Sequence, residues 1–131
     1  MFIRMRELQP DQLARFTQID YDREMAFIAT RQREDGQPET MGVVRALADP
    51  DNENAEFAIT VRSDIKRRGL GSVLLSKLID YFRGRGTFAI VGEALPENAG
   101  VIRLVKRFGF DVKPMRVDGV VLLHLSLRDT K

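Results

Sequence analysis

A chain of 131 residues, 44% hydrophobic and 31% charged, predicts one folded domain with a real core and excludes both two domains and wholesale disorder. Zero cysteines and one histidine, His124, exclude disulfides, thiolate nucleophiles, iron–sulfur clusters and a multi-histidine metal site, so no metal is expected. With 21 Lys+Arg against 19 Asp+Glu the formal net charge is +2, which is no nucleic-acid signature; no apolar run approaches the ~20 residues of a bilayer span, and MFIRMRELQP at the start lacks a secretory h-region, so a cytoplasmic protein is expected, with neither nucleic acid nor membrane as partner.

Turn-forming residues at 35–38 (DGQP), 48–52 (ADPDN), 84–86 (GRG), 95–98 (LPEN) and 118–119 (DG) punctuate the chain. Residues 10–19 carry Leu13, Phe16 and Thr17 at helical spacing and predict a short helix. Residues 24–33 (EMAFIATRQR) and 40–48 (TMGVVRALA) predict a hairpin turning at Gly36. Residues 54–62 (NAEFAITVR) predict a third strand. Residues 69–83 place Leu70, Val73, Leu74, Leu78, Ile79 and Phe82 on one helix face. A strand is predicted at 87–93 (TFAIVGE). A second amphipathic helix follows over 97–108, with Val101, Ile102, Leu104, Val105 and Phe108 inward. Residues 109–116 and 119–127 close the chain as a hairpin turning at Asp118-Gly119. The central strand–helix–strand unit predicts one parallel pair in an otherwise antiparallel sheet. The expected fold class is α/β, with helices covering a mixed sheet.

The stretch that bears chemistry is AEFAITVRSDIKRRGLGSVLL at 55–75. A strand runs into a loop, the loop into two glycines, and the glycines into a helix. The first turn of a helix leaves N–H groups without partners at the positive end of its dipole. Gly69 and Gly71 lack a Cβ, so an anion can approach those N–H groups. Arg62, Lys66, Arg67 and Arg68 crowd the same stretch with positive charge. A phosphate or diphosphate site over 66–72 is therefore expected. The pattern is neither GxxxxGK[ST] nor GxGxxG, so neither a Walker loop nor a dinucleotide fingerprint is present.

Lys66-Arg67-Arg68-Gly69-Leu70-Gly71, placed between a strand and a helix, resembles the signature of the GNAT superfamily of acyl-CoA-dependent N-acyltransferases. That signature is a basic residue or Gln, two variable residues, Gly, any residue, then Gly or Ala. Asn98 followed by Gly109-Phe110 resembles a second motif of the family. The stretches at 6–29, 55–71 and 95–110 further resemble the acetyltransferase domain of bacterial protein lysine acetyltransferases. There the domain often adjoins a large region related to ADP-forming acyl-CoA synthetases, which this sequence lacks. Against the GNAT fold the sequence reads as a single domain, 1–131, whose first strand and first helix are missing. An exposed sheet edge or apolar patch left by that gap is a surface on which two copies can pair as a homodimer.

The resemblance implies acetyl-CoA as acyl donor and an exposed protein lysine as acceptor. An acyl-CoA synthetase is the partner it suggests. It also assigns roles. Glu56 holds the family's catalytic position; it alternates with Ala58 and Thr60 on the strand face opposite Phe57, Ile59 and Val61. Its carboxylate would take a proton from the lysine ammonium. Main-chain groups at Thr60 and Val61, near an expected bulge, would hold the thioester oxygen and the pantetheine arm. Arg62, Lys66, Arg67, Arg68, Gly69, Leu70, Gly71 and Ser72 would hold the diphosphate. Asn98 would either contact pantetheine or cap its helix. Many family members carry a tyrosine as general acid at the position of Val105; Tyr21 and Tyr81 are the only tyrosines. Asp20, Tyr21, Asp22 and Arg23 read either as an acidic lip for the acceptor or as a hydrogen-bonded turn. Arg83, Arg85, Arg103 and Arg107 read as solvated charges or as groups reaching the 3′-phosphate. His124 reads as structural, and Met25 and Met41 as core or pocket filling. The alternatives are a small-amine or N-terminal acetyltransferase, and a non-catalytic acyl-CoA sensor that needs 66–72 but not Glu56.

Overall fold

Strict alternation in the middle of the chain sets the sheet. In EMAFIATRQ the residues Met25, Phe27 and Ala29 are buried, and their neighbours are not. Side chains that alternate in this way bury one face of a strand. The computed structural model describes residues 2–6, 15–61, 69–115 and 118–128. Its elements are β1 (Phe2–Arg6), β2 (Arg15–Asp20), β3 (Glu24–Gln32), β4 (Pro38–Ala48), β5 (Asn54–Val61), α1 (Leu70–Gly84), β6 (Ala89–Ala94), α2 (Ala99–Arg107), β7 (Asp111–Met115) and β8 (Val120–Ser126). They form one eight-stranded sheet in the order β1-β2-β3-β4-β5-β6-β8-β7. All neighbours are antiparallel except β5 and β6, which are parallel. A parallel pair needs a crossover connection, and α1 lies on it. The expected mixed, mostly antiparallel α/β sheet is the fold observed.

Register decides which side chains share a face. Phe16, Ala29, Gly42 and Val61 form one cross-strand row, and Met25, Ala46 and Phe57 another. Both rows face the core, where α1 packs on β3, β4 and β5 through Leu74, Leu75, Leu78, Ile79 and Phe82. Met25 and Met41 are fully buried there, as core filling. α2 joins the same side, since its Leu104 lies against Gly71 of α1. The other face carries the row Glu24, Leu47, Glu56, Val91, His124 and Asp111.

Residues 15–20 overturn one expectation: they form a strand, not the second half of a helix. The spacing of Leu13, Phe16 and Thr17 covers less than two helical turns. RFTQID is rich in aromatic and β-branched residues, and β2 has strand partners on both sides in β1 and β3. Leu13 and the rest of the expected helix over 10–14 lie outside the described residues. β1 was not foreseen from the sequence. Among the described residues, no bulge stands at the expected place near Thr60 and Val61. The β4–β5 register is unbroken from Ala48 with Ala55 to Gly42 with Val61, and the irregularity lies between β3 and β4 at Ala29/Thr30.

The turn before β3 is tied to the C-terminal end of α1. Tyr81 Oη donates to Asp20 Oδ1 at 3.0 Å, and Arg85 Nη1 donates to Tyr81 Oη at 3.0 Å. Arg85 also reaches the carbonyl of Asp22 at 3.3 Å. Burial first, and the bond to Asp20 second, push the Tyr81 hydroxyl above its ordinary pKa of 10.0. A raised pKa keeps the proton on the folded chain after the unfolded chain has lost it. The stabilisation it brings is therefore complete below pH 10.0 and is lost as pH rises through the folded value. Tyr81→Phe is expected to lower unfolding free energy by about 1 kcal/mol. Urea denaturation at pH 7 measures this, and the difference should shrink in strongly alkaline buffer.

Candidate functional site

β5 and β6 part in the middle of the sheet. Their ladder joins Asn54 with Ala89, Ala55 with Ile90 and Glu56 with Val91, and goes no further. Yet β5 runs on to Val61 and β6 to Ala94. Each strand stays with its other neighbour: Val61 still pairs with Gly42 of β4, and Ala94 with Val121 of β8. The sheet therefore opens past Glu56. Main-chain groups along the inner edges of 57–61 and 92–94 have no ladder partner across the opening. Such groups need hydrogen-bond partners, and an open strand edge can pair with an extended ligand.

Glu56 stands at the last rung before the opening. It is exposed and points away from the helices, beside Leu47 of β4 and Val91 of β6. Thr60 lies on the same face four residues further along the strand, about 13 Å away, and is also exposed. His124 follows Val91 in the same row, two strands from Glu56, or about 10 Å. His124, read from the sequence as structural, is exposed. The alternation of β8 buries Val121 and Leu123 and turns His124 to solvent on the Glu56 face.

The N-terminal end of α1 is the second part of the site. Gly69 precedes it with φ +78°, the left-handed region, where an alanine is strained. Among the described residues no side chain caps the helix, and no acidic residue stands in its first turn. A fifteen-residue helix thus brings its N-terminal N–H groups and positive dipole end to this point, with no carboxylate in its own first turn. Leu70 is buried, so it can offer only its main chain. Ser72 receives a hydrogen bond at 3.3 Å from Nη2 of Arg107, at the C-terminal end of α2. That guanidinium is exposed and adds a cation to the α1 terminus. Gly71 has a packing reason that the sequence did not disclose. A Cβ there would meet Leu104 Cδ2 at 3.2 Å and Val61 Cγ2 at 3.7 Å, so its missing side chain also lets α2 and β5 close on α1. Arg62, Lys66, Arg67 and Arg68 lie outside the described residues.

The remaining candidates sort by position. Asn98 caps α2, its Oδ1 accepting from the Val101 N–H at 3.4 Å. Val105 is fully buried. Tyr81 is bound to Asp20 and Arg85 at the far end of α1, and Tyr21 is exposed in the turn before β3. Asp20 through Arg23 form a hydrogen-bonded turn: Tyr21 N–H donates to the Glu24 carbonyl at 2.8 Å, and Arg23 to the Ala48 carbonyl at 3.3 Å. Asp20 pairs with Met25 and so lies on the helix side of the sheet, away from Glu56. Arg83 and Arg85 sit at the C-terminal end of α1, about 20 Å from its N-terminus. Arg103 is exposed on α2. Of the four arginines weighed, only Arg107 is shown at the α1 terminus.

The family model described as the acetyltransferase (GNAT) family matches residues 3–110. A Pseudomonas aeruginosa acetyltransferase is 35% identical over 82 residues, 63% of this chain and 44% of that protein. The ribosomal protein bS18-alanine N-acetyltransferase of Salmonella typhimurium is 38% identical over 65 residues, 50% of this chain and 44% of that protein. The matched stretch thus spans less than half of each curated relative. The crystal structure of the GNAT domain of S. lividans PAT superposes with a TM-score of 0.67 at 26% identity, covering 82% of this chain and 64% of that one.

Proposed function

This chain belongs to the acetyltransferase (GNAT) family, and on that premise we propose that it moves an acetyl group from acetyl-CoA to a protein lysine, with Glu56 as the base. The observation that carries the reading is the position of Glu56 at the rung where β5 and β6 part. The carboxylate is thereby beside an open strand edge, on the same sheet side as Thr60.

The residues present suit an acyl-CoA donor. The α1 terminus, with no acidic residue in its first turn, and the Arg107 guanidinium suit a diphosphate. The freed edge of β5 suits the amide groups of a pantetheine arm. Glu56 takes a proton from the ammonium, directly or through one water. The neutral amine attacks the thioester carbonyl carbon. Main-chain N–H groups on the freed stretch of β5 stabilise the oxyanion as it forms. The carbon–sulfur bond breaks, and the CoA thiolate leaves and is protonated from solvent. The chain has no cysteine, so the transfer, direct in this reading, does not pass through a cysteine acyl-enzyme.

A second reading follows from the relative whose name specifies an alanine N-acetyltransferase: an α-amine at a protein N-terminus is the acceptor. An acyl-CoA synthetase is the lysine-bearing partner to try first. Mass spectrometry of such proteins, incubated with this chain and acetyl-CoA, tests both. Acetylated lysine Nζ supports the first reading, and acetylated α-amines alone transfer the assignment to the second. Acetyl-CoA binding with no acetylated protein or free amine would leave a sensor and overturn both.

A further inference from the structure

We propose that Phe57 and Gly92, backed by Phe110, form a wedge that sets how far β5 and β6 open, and so positions Glu56 and the seat of the pantetheine arm. The inference rests on the acyl-donor reading above. Phe57 and Gly92 are the first residues after the last rung, Glu56 with Val91. Both are buried. A Cβ on Gly92 would fall 2.7 Å from Phe57 Cε1, 2.9 Å from Phe57 Cδ1 and 3.1 Å from the Phe57 carbonyl oxygen. Carbon atoms rest about 3.5–4.0 Å apart, so the ring and carbonyl of Phe57 occupy the place of a side chain at 92. The ring also packs on Phe110, with centroids 5.5 Å apart and planes tilted by 49°. Phe110 belongs to the Gly109-Phe110 pair that ends the second sequence motif, and this contact gives that phenylalanine a task.

Glu56 and Phe57 are adjacent on one strand, so a shift of the Phe57 main chain carries Glu56 with it. A ring in contact with both Gly92 and Phe110 fixes β5 relative to β6 at the rung where pairing stops. Phe57 and Gly92 touch no substrate in this reading; they are positioning residues. The α1 terminus lies outside the wedge and holds the diphosphate independently.

The test compares two ligands by calorimetry on the full chain. Acetyl-CoA reports both the phosphate seat and the strand opening, whereas adenosine 3′-phosphate 5′-diphosphate keeps the diphosphate without pantetheine and reports the phosphate seat alone. Gly92→Ala is expected to weaken acetyl-CoA at least about tenfold and to leave the nucleotide unchanged. Phe57→Leu added to Gly92→Ala makes room for the new methyl group and should restore most of the loss. Phe57→Leu alone, which keeps a buried apolar side chain, should weaken acetyl-CoA without affecting the nucleotide, and so serves if Gly92→Ala does not fold. Equal weakening of both ligands, or unaltered acetyl-CoA affinity in a folded single variant, overturns the wedge. Wild-type protein that binds neither ligand overturns the acyl-donor reading itself.

Discussion

Glu56→Gln is expected to lower turnover about 10²–10⁴-fold while leaving acetyl-CoA affinity unaltered. The amide cannot accept the ammonium proton, so the amine stays protonated and cannot attack. Its size and shape are those of the acid, so the strand opening and the α1 terminus are undisturbed. Glu56 is exposed on the sheet face away from the core, and exposed substitutions of this kind move stability by less than about 0.5 kcal/mol. The thermal midpoint should therefore match wild type. Raising the pH should recover part of the lost rate, because free amine then forms without a base. Steady-state kinetics with an acetyl-accepting target in its unmodified form, together with calorimetry, separates the outcomes. Unchanged turnover would remove Glu56 as base, and loss of acetyl-CoA affinity would make it a binding residue instead.

Ser72→Asp should move stability and binding in opposite directions. The first turn of α1 has no acidic residue, and a carboxylate there meets the positive end of the helix dipole. Such a placement stabilises a helix by about 0.3–1 kcal/mol. Arg107, already 3.3 Å from the Ser72 hydroxyl, would gain an ionic partner. The same carboxylate repels a diphosphate. At about 4 Å and an effective dielectric near 20, one like-charge pair costs on the order of 4 kcal/mol before salt screening. Acetyl-CoA affinity should fall at least about tenfold in a chain that melts no lower than wild type. A protein weakened in both respects would point to misfolding. Unchanged affinity would place the diphosphate away from this helix.

Much of this arrangement was legible in the sequence because it is local. The alternation of Phe57, Ile59 and Val61 against Glu56, Ala58 and Thr60 gave β5 and the exposure of Glu56. The period of Leu70, Leu74, Leu78 and Phe82 gave α1, and the strand–helix–strand order gave the parallel pair. Other features arise from partners far along the chain. β2 is a strand because β1 and β3 supply its ladders, while its own apolar spacing fitted a short helix equally well. The freed edge of β5 has no local signal either, since it comes from β5 following β4 while β6 follows β8. Arg107 was one of four arginines with no feature to distinguish it until α2 was placed against the first turn of α1. The need for glycine at 92 was equally hidden, since it depends on a ring 35 positions earlier in the chain.

A crystal structure of this chain with acetyl-CoA tests the central claim most directly. The account predicts diphosphate oxygens about 2.7–3.2 Å from main-chain nitrogens of residues 69–72, the pantetheine arm paired to the freed edge of β5, and the acetyl carbonyl on the side of Glu56. Acetyl-CoA bound with its diphosphate away from the α1 terminus, or its thioester out of reach of Glu56, would contradict it.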